Sequence, residues 1–293
     1  MFVTDKELAD GIGGQFCRKL DAFAYAKRMG YEYYHRPISD VMWHPGDCFD
    51  LSSNKEKQKF INELNKFFEY KNADVPADLV QEAPMKIGMV PGSEMISTRG
   101  LLKKLPMQKK IVIHVRRGNI VQDQTANPRY ISDEAYRKLF LHLETIIKDF
   151  RLNDHEIVVL TDGPIDEPQY IQTPDHEYWR TQVGMNVDGE VTKLEPLNTK
   201  ILNPNLKYTI INDICSLDAI RLMLSANWLI PSFSAFSTFV AVGGHYNVIG
   251  NSRSMNVQGI RGSWFDTKDS VKIQIGDKVY SDNNLTVATS SQE

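Results

Sequence analysis

Two adjacent arginines follow directly on a run of β-branched residues. Ile111-Val112-Ile113-His114-Val115 leads straight into Arg116-Arg117-Gly118-Asn119. The apolar run has the pattern of a short parallel strand buried on both faces. Neighbours on a strand point to opposite faces, but at the strand's end Gly118 lets the chain turn, so both guanidiniums can converge on one site. A guanidinium is always charged and grips phosphate oxygens through a planar fork. The pair therefore reads as a clamp for a diphosphate; the plainer alternative is two surface arginines paired with carboxylates. His114 by itself reads as a core or supporting histidine rather than as a base.

Two further segments carry chemistry. Ser232-Phe233-Ser234-Ala235-Phe236-Ser237 is a polar turn that follows the strand Trp228–Pro231 and opens a helix. Hydroxyls and free backbone N–H groups at a helix N-terminus make an anion site; the ordinary alternative is a helix cap with two core aromatics. Near the start, Gly11-Ile12-Gly13-Gly14-Gln15 opens another helix, and its glycines let backbone approach a ligand. As a dinucleotide fingerprint it fails, because Phe16 stands where the third glycine belongs. Seven histidines are scattered without ligand spacing, and there is no Asp-x-Asp triplet, P-loop or Gly-x-Ser-x-Gly elbow. No metal is expected.

These residues need elements to hold them. The 293-residue chain carries 34 basic and 37 acidic side chains, a net charge of −3, with 42% apolar and 24% charged residues. That is globular composition, and it argues against a nucleic-acid partner, which calls for a basic excess. Three widely spaced cysteines, Cys17, Cys48 and Cys215, show no disulfide framework, so a reducing, cytoplasmic setting is expected. The longest apolar stretch, Trp228 to Gly244, is broken by Pro231 and hydroxyl side chains and falls short of the roughly 18 residues of a membrane helix.

Along the chain, helical spacing predicts a helix from residue 10 to Gly30 and another from about Lys55 to Tyr70. Tyr31 to His35 reads as a strand, and 71–106 as irregular. The second half alternates. Strands at 111–115, 157–160, 208–211 and 228–231 are separated by helices beginning at Ser132 and at about Ser216. Residues 163–200 read as a polar insertion of loops with some helix. Strand–helix alternation implies a parallel sheet with helices on both faces. Ligands on such sheets sit beyond the carboxyl ends of the strands, where Arg116, Arg117, Asp162 and Ser232–Ser237 all fall. A boundary near 105 divides 1–105 from 106–260, with 261–293 a strand-rich extension and polar tail.

Taken in order, the segments resemble the inverting fucosyltransferases of the α-1,2, α-1,6 and protein O-fucosyl superfamily. The opening Gly11-Ile12-Gly13-Gly14-Gln15 is similar to their Gly-Leu-Gly-Asn-Gln. His114-Val115-Arg116-Arg117-Gly118-Asn119 is similar to His-x-Arg-Arg-Gly-Asp. Thr161-Asp162 matches a strand-end Ser/Thr-Asp, and Ser232-Phe233-Ser234-Ala235-Phe236-Ser237 matches Ser-x-Ser-x-Phe-Ser. The resemblance spans roughly residues 10–245. It implies a GT-B-like α/β fold: two Rossmann-like domains facing a cleft, the first on the acceptor side, the second holding the nucleotide-sugar.

It also implies an inverting, metal-independent transfer of L-fucose from GDP-fucose to a hydroxyl of a glycan or glycoconjugate. Arg116, Arg117 and His114 would serve catalysis at the diphosphate. Gly13, Gly14, Gln15, Gly118, Asn119, Ser232, Ser234, Phe236 and Ser237 would line the donor site, with Asp162 on guanine or ribose. Asn119 departs from the motif's aspartate and Gly14 from its asparagine. The first departure keeps open a different nucleotide-sugar donor and a non-catalytic GDP-sugar- or glycan-binding protein. No general base is assigned; Asp10, Asp123 and Asp213 are the candidates.

Overall fold

Strand β1 (Phe2–Thr4) is short, yet it is the centre of a sheet. It pairs in parallel with β2 (Glu32–Tyr33) on one side and with β3 (Val80–Glu82) on the other. The chain is seen here in a computed structural model describing residues 1–6, 10–41, 53–70, 72–84, 98, 100–117, 130–172, 191–212, 214–244, 247–251, 262–266 and 271–281. Gly118, Asn119, Asp123 and Asp213 lie outside the described residues.

Between β1 and β2 runs α1 (Ile12–Met29), which buries Ile12, Phe16, Leu20 and Phe23 along one stripe. It stops at Gly30, which adopts the left-handed conformation at φ 67° and donates its N–H to the last carbonyls. Glycine takes that shape without a Cβ clash. Helix α2 (Asn54–Asn65) is capped by the Ser53 hydroxyl, which accepts from the Glu56 N–H, and is shorter than its apolar spacing predicts. Phe67 is buried beyond the helix end. Strand β3 falls inside the proline-interrupted stretch that the sequence reads as irregular.

The second sheet is made of β4 (Gln108–Val115), β5 (Glu156–Thr161), β8 (Tyr208–Ile211) and β9 (Ala226–Ile230), all parallel, in the order β8-β5-β4-β9. An antiparallel pair, β6 (Gln169–Gln172) with β7 (Val191–Leu194), occupies part of the region expected to be loop and helix. Helix α3 (Asp133–Asp149) connects β4 to β5; the Ser132 hydroxyl accepts from the Ala135 N–H at its start. Helix α4 (Ser216–Ser225) connects β8 to β9, and α5 (Ala235–Gly243) follows β9. In the predicted strand-rich extension, β11 (Gly262–Asp266), β12 (Val271–Ile275) and β13 (Lys278–Ser281) form an antiparallel meander, joined in parallel by β10 (Ile249–Asn251).

Side-chain alternation splits β4 between two cores. Ile111, Ile113 and Val115 face α3 and Trp264, together with Ile157 and Val159. Val112, with Val158, Leu160 and Leu229, faces the other way, where Phe16, Leu20, Leu64, Leu101, Leu102, Ile220 and Phe239 share one cluster. The expectation of an α/β chain built on parallel sheets is met. Within the described residues α1 lies directly on α5, with the Phe16 and Phe239 rings 4.2 Å apart.

One expectation is corrected. Cys215 is disulfide-bonded, whereas Cys17 is free. The cysteine argument for a reducing compartment therefore falls, since disulfides persist in oxidising surroundings. Among the described residues no helix is long and apolar enough to cross a membrane.

Candidate functional site

Strand order defines where a ligand would sit. From β4 the chain adds β5 and then β8 on one side, and returns to place β9 on the other. The strand order therefore reverses between β4 and β9, and ligands of open α/β sheets bind in the crevice expected beyond the carboxyl ends at such a point. Residues 116–117 continue from β4, Asp162 from β5, and Pro231–Ser234 from β9. Sequence reasoning placed its candidates at these ends, and the fold brings them to one edge.

His114 and Ser232 tie β4 to the turn that follows β9. Ser232 Oγ lies 2.8 Å from His114 Nδ1, and both residues are buried. Ser237 Oγ sits 3.4 Å from Ser232 Oγ. Ser234 is the N-cap of α5 and accepts from the Phe236 N–H at 3.3 Å. Burial pushes the His114 pKa down to about 4; the Asp162 carboxylate opposes the shift and Arg116 adds to it. The imidazole is thus neutral at physiological pH, a hydrogen-bonding group rather than a cation.

The two arginines part company. Arg117 is 1% exposed. Its Nη1 donates to the carbonyls of Arg116 at 2.9 Å and Ile131 at 3.1 Å, and its Nη2 to Asp133 Oδ1 at 2.6 Å. The guanidinium carbon stands 5.0 Å from the ring centroids of both Tyr130 and Tyr136. Asp133 in turn accepts from Asn198 Nδ2 at 3.0 Å. Arg117 is therefore part of the packing between β4 and α3. Arg116 takes the opposite face and its Nη1 pairs with Asp162 Oδ2 at 2.6 Å. The expected convergence of both guanidiniums is corrected: alternation persists past the strand's end, and only Arg116 remains on the crevice side.

Gly13 belongs to the same neighbourhood for a steric reason. A Cβ built on it would lie 2.6 Å from Phe236 N and 2.8 Å from Ala235 C, so the first turn of α1 rests on the first turn of α5. Gly13→Ala forces backbone apart and is expected to lower stability by about 1–3 kcal/mol. At Gly14 a Cβ meets the Asp10 carboxylate at 2.0 Å; a side chain can move where backbone cannot, at the cost of its contacts to the Gly11 N–H and Arg18, so Gly14→Ala is expected to cost less than Gly13→Ala. Comparing the two melting temperatures checks this ordering; equal losses would refute the close approach. Gln15 is buried and donates to the Asp40 carbonyl at 3.1 Å.

Asp10, the described candidate base, is engaged. Its Oδ1 accepts from the Gly11 N–H at 2.7 Å and its Oδ2 pairs with Arg18 at 2.7 Å. Further along α1, Asp21 was missed by sequence reasoning. One of its oxygens is buried without a hydrogen-bond partner. Burial raises its pKa to about 7 despite the opposing Arg18 charge. The only sequence signal was an acidic residue one turn beyond Cys17, on a helix whose other face is core.

Among the described residues no group of three or more metal-ligating side chains comes together. No family model, curated protein or solved structure matches the chain.

Proposed function

We propose that the chain is a metal-independent, inverting glycosyltransferase that moves a sugar, L-fucose from GDP-fucose in the leading reading, onto a glycan hydroxyl. The observation that carries the reading is the meeting of Arg116, His114 and the serine-rich start of α5 at the switch point of a parallel sheet. The resemblance of the three motifs to fucosyltransferases names the donor. A two-domain GT-B arrangement with the first half on the acceptor side is part of the proposal.

In this reading the donor's diphosphate lies across the crevice. As the bond between the sugar's anomeric carbon and the phosphate oxygen breaks, negative charge builds on the leaving phosphate. Arg116 and the first N–H groups of α5 stabilise that charge from fixed positions; one preorganised donor is worth on the order of 3 kcal/mol in a transition state. Neutral His114 adds a hydrogen bond without adding charge. The acceptor hydroxyl attacks from the opposite face, which inverts the anomeric centre, and its proton passes to water or to the departing diphosphate. Charge stabilisation by side chains and N–H groups needs no metal.

A second reading is a nucleotide-sugar-binding protein without turnover. It is favoured by the internal pairing of Arg117 with Asp133 and of Arg116 with Asp162, which neutralises the cations before any ligand arrives.

A thermal-shift panel with GDP, UDP, ADP, CMP and NAD tests the site. Saturation at 100 times Kd stabilises a fold by about 2.7 kcal/mol, so a GDP-selective rise is expected. Loss of sugar from GDP-fucose in the presence of EDTA then identifies an enzyme. A UDP-selective rise would keep the transferase and change the donor. GDP binding without turnover of any donor would leave the binding protein, and no rise with any ligand would remove the nucleotide reading.

A further inference from the structure

Asp162 stands at the end of β5 beside the end of β4. The strands are in register through Val115 opposite Thr161, so Asp162 falls across from Arg116. Both of its oxygens face the double-arginine segment, Oδ1 in a hydrogen bond and Oδ2 in an ion pair that lacks hydrogen-bond alignment. Oδ1 accepts the backbone N–H of Arg117 at 2.7 Å, and Oδ2 pairs with Nη1 of Arg116 at 2.6 Å. One carboxylate thus grips both the backbone and the side chain of the double-arginine segment. The pair is only slightly exposed, with side-chain exposures of 14% for Arg116 and 21% for Asp162.

A long flexible side chain loses much rotamer freedom when it is fixed. An arginine already fixed in the free protein does not lose that freedom again when a ligand binds, and this preorganisation raises affinity. An aspartate that reads guanine or ribose would instead turn an oxygen toward the nucleoside.

We infer that Asp162 is a positioning residue, which holds the Arg116 guanidinium at the mouth of the β4–β9 crevice and acts on the diphosphate only through Arg116. The inference rests on the nucleotide-sugar reading of this crevice. It replaces the nucleoside contact implied by the family resemblance with a contact inside the protein, and it makes the two residues one functional unit.

A double-mutant cycle on the full chain tests it. Affinities for GDP and for inorganic pyrophosphate are measured by calorimetry for wild type, Arg116→Ala, Asp162→Ala and the double variant. Acting through Arg116 alone, Asp162→Ala weakens both ligands by the same factor, about tenfold. The double variant is then no weaker than Arg116→Ala, because residues that work as a unit are not additive. Asp162→Asn keeps an acceptor for the Arg117 N–H while losing the charge. It serves where the alanine variant does not fold, and it is expected to weaken both ligands too.

Additive losses in the double variant would overturn the inference. So would a loss for GDP with pyrophosphate unchanged, since that pattern belongs to a nucleoside contact. A fall in melting temperature with both affinities unchanged would reduce Asp162 to a structural tie. Wild type that binds neither ligand would overturn the nucleotide reading itself, an outcome distinct from the other three.

Discussion

Replacing Arg117 with Met lowers the free energy of unfolding by about 2–3 kcal/mol, chiefly because buried carbonyls lose a charged donor; Asp133 is 39% exposed and is left in contact with water. The side chain is almost wholly enclosed, and its guanidinium serves two main-chain carbonyls and one carboxylate. Methionine fills the space of the stem but donates nothing. The Ile131 and Arg116 carbonyls then lose the donor that served them, and hydrogen bonds from a charged group are worth about 1.5–3 kcal/mol each before non-additivity. The two tyrosine rings lose a cation between them, a contact worth on the order of 1 kcal/mol. Arg116 is 14% exposed against 1% for Arg117, and Arg116→Ala is expected to cost no more than about 1–2 kcal/mol. The ranking reverses for ligand: Arg116→Ala weakens GDP, whereas Arg117→Met, wherever it remains folded, leaves GDP affinity close to wild type. Urea unfolding and GDP titration of both variants check this. Arg117→Met with wild-type stability and lost GDP binding would restore the two-armed clamp.

The separation of the two side chains is legible in the sequence, because strand periodicity alone assigns Arg116 the face of Val112 and His114, and Arg117 the face of Ile113 and Val115. A turn at Gly118 does not override that alternation for Arg116 and Arg117. The positions of His114, Asp162 and the Ser232–Ser237 turn at strand ends were legible for a better reason. Long β-branched runs bounded by capped helices fix a parallel sheet, and the sheet fixes where its carboxyl ends lie. Elements held by distant pairing were not legible. Strand β3 is Val80-Gln81-Glu82, mostly exposed, and it exists because β1 offers an edge some eighty residues earlier in the chain. The β6–β7 pair has no period-2 apolar signal strong enough to separate it from loop. Nor does spacing among three cysteines reveal that Cys215 is bonded, since a disulfide depends on proximity in the fold.

Burial also dictates how the fold answers acid, and here two histidines oppose one aspartate. Both His114 and His35 have their pKa lowered from 6.5 to about 4. Burial is the chief cause for each; at His35 the Lys19 charge adds to it and Asp5 opposes it. His35 is held near Tyr33, its Nδ1 3.3 Å from the phenol oxygen. A folded pKa below the unfolded one means that the unfolded chain takes up the proton first. Each histidine therefore withdraws stability as pH falls from 6.5 to about 4, on the order of 3 kcal/mol apiece at 1.36 kcal/mol per unit.

Asp21 works the other way. Its folded pKa of about 7 lies above the ordinary 3.8, so its ionised form is the destabilised one. The folded state gains, on the order of 4 kcal/mol, as pH falls through 7 toward 3.8. Ion-paired surface carboxylates such as Asp154 and Asp166, whose pKa values are lowered, lose their contribution only below the ordinary carboxylate range. Wild type is therefore expected to lose only about 2–3 kcal/mol between pH 7 and pH 4. Asp21→Asn removes the compensation while keeping the shape. The variant should be more stable than wild type at pH 8, by on the order of 3 kcal/mol, and level with it near pH 4, where both carry a neutral group. Its acid loss should be roughly twice as steep. Urea midpoints for both proteins at pH 8, 6, 5 and 4 measure the difference directly. Parallel curves would mean that Asp21 is ionised at no cost in the folded protein, and that its buried oxygen has found a partner.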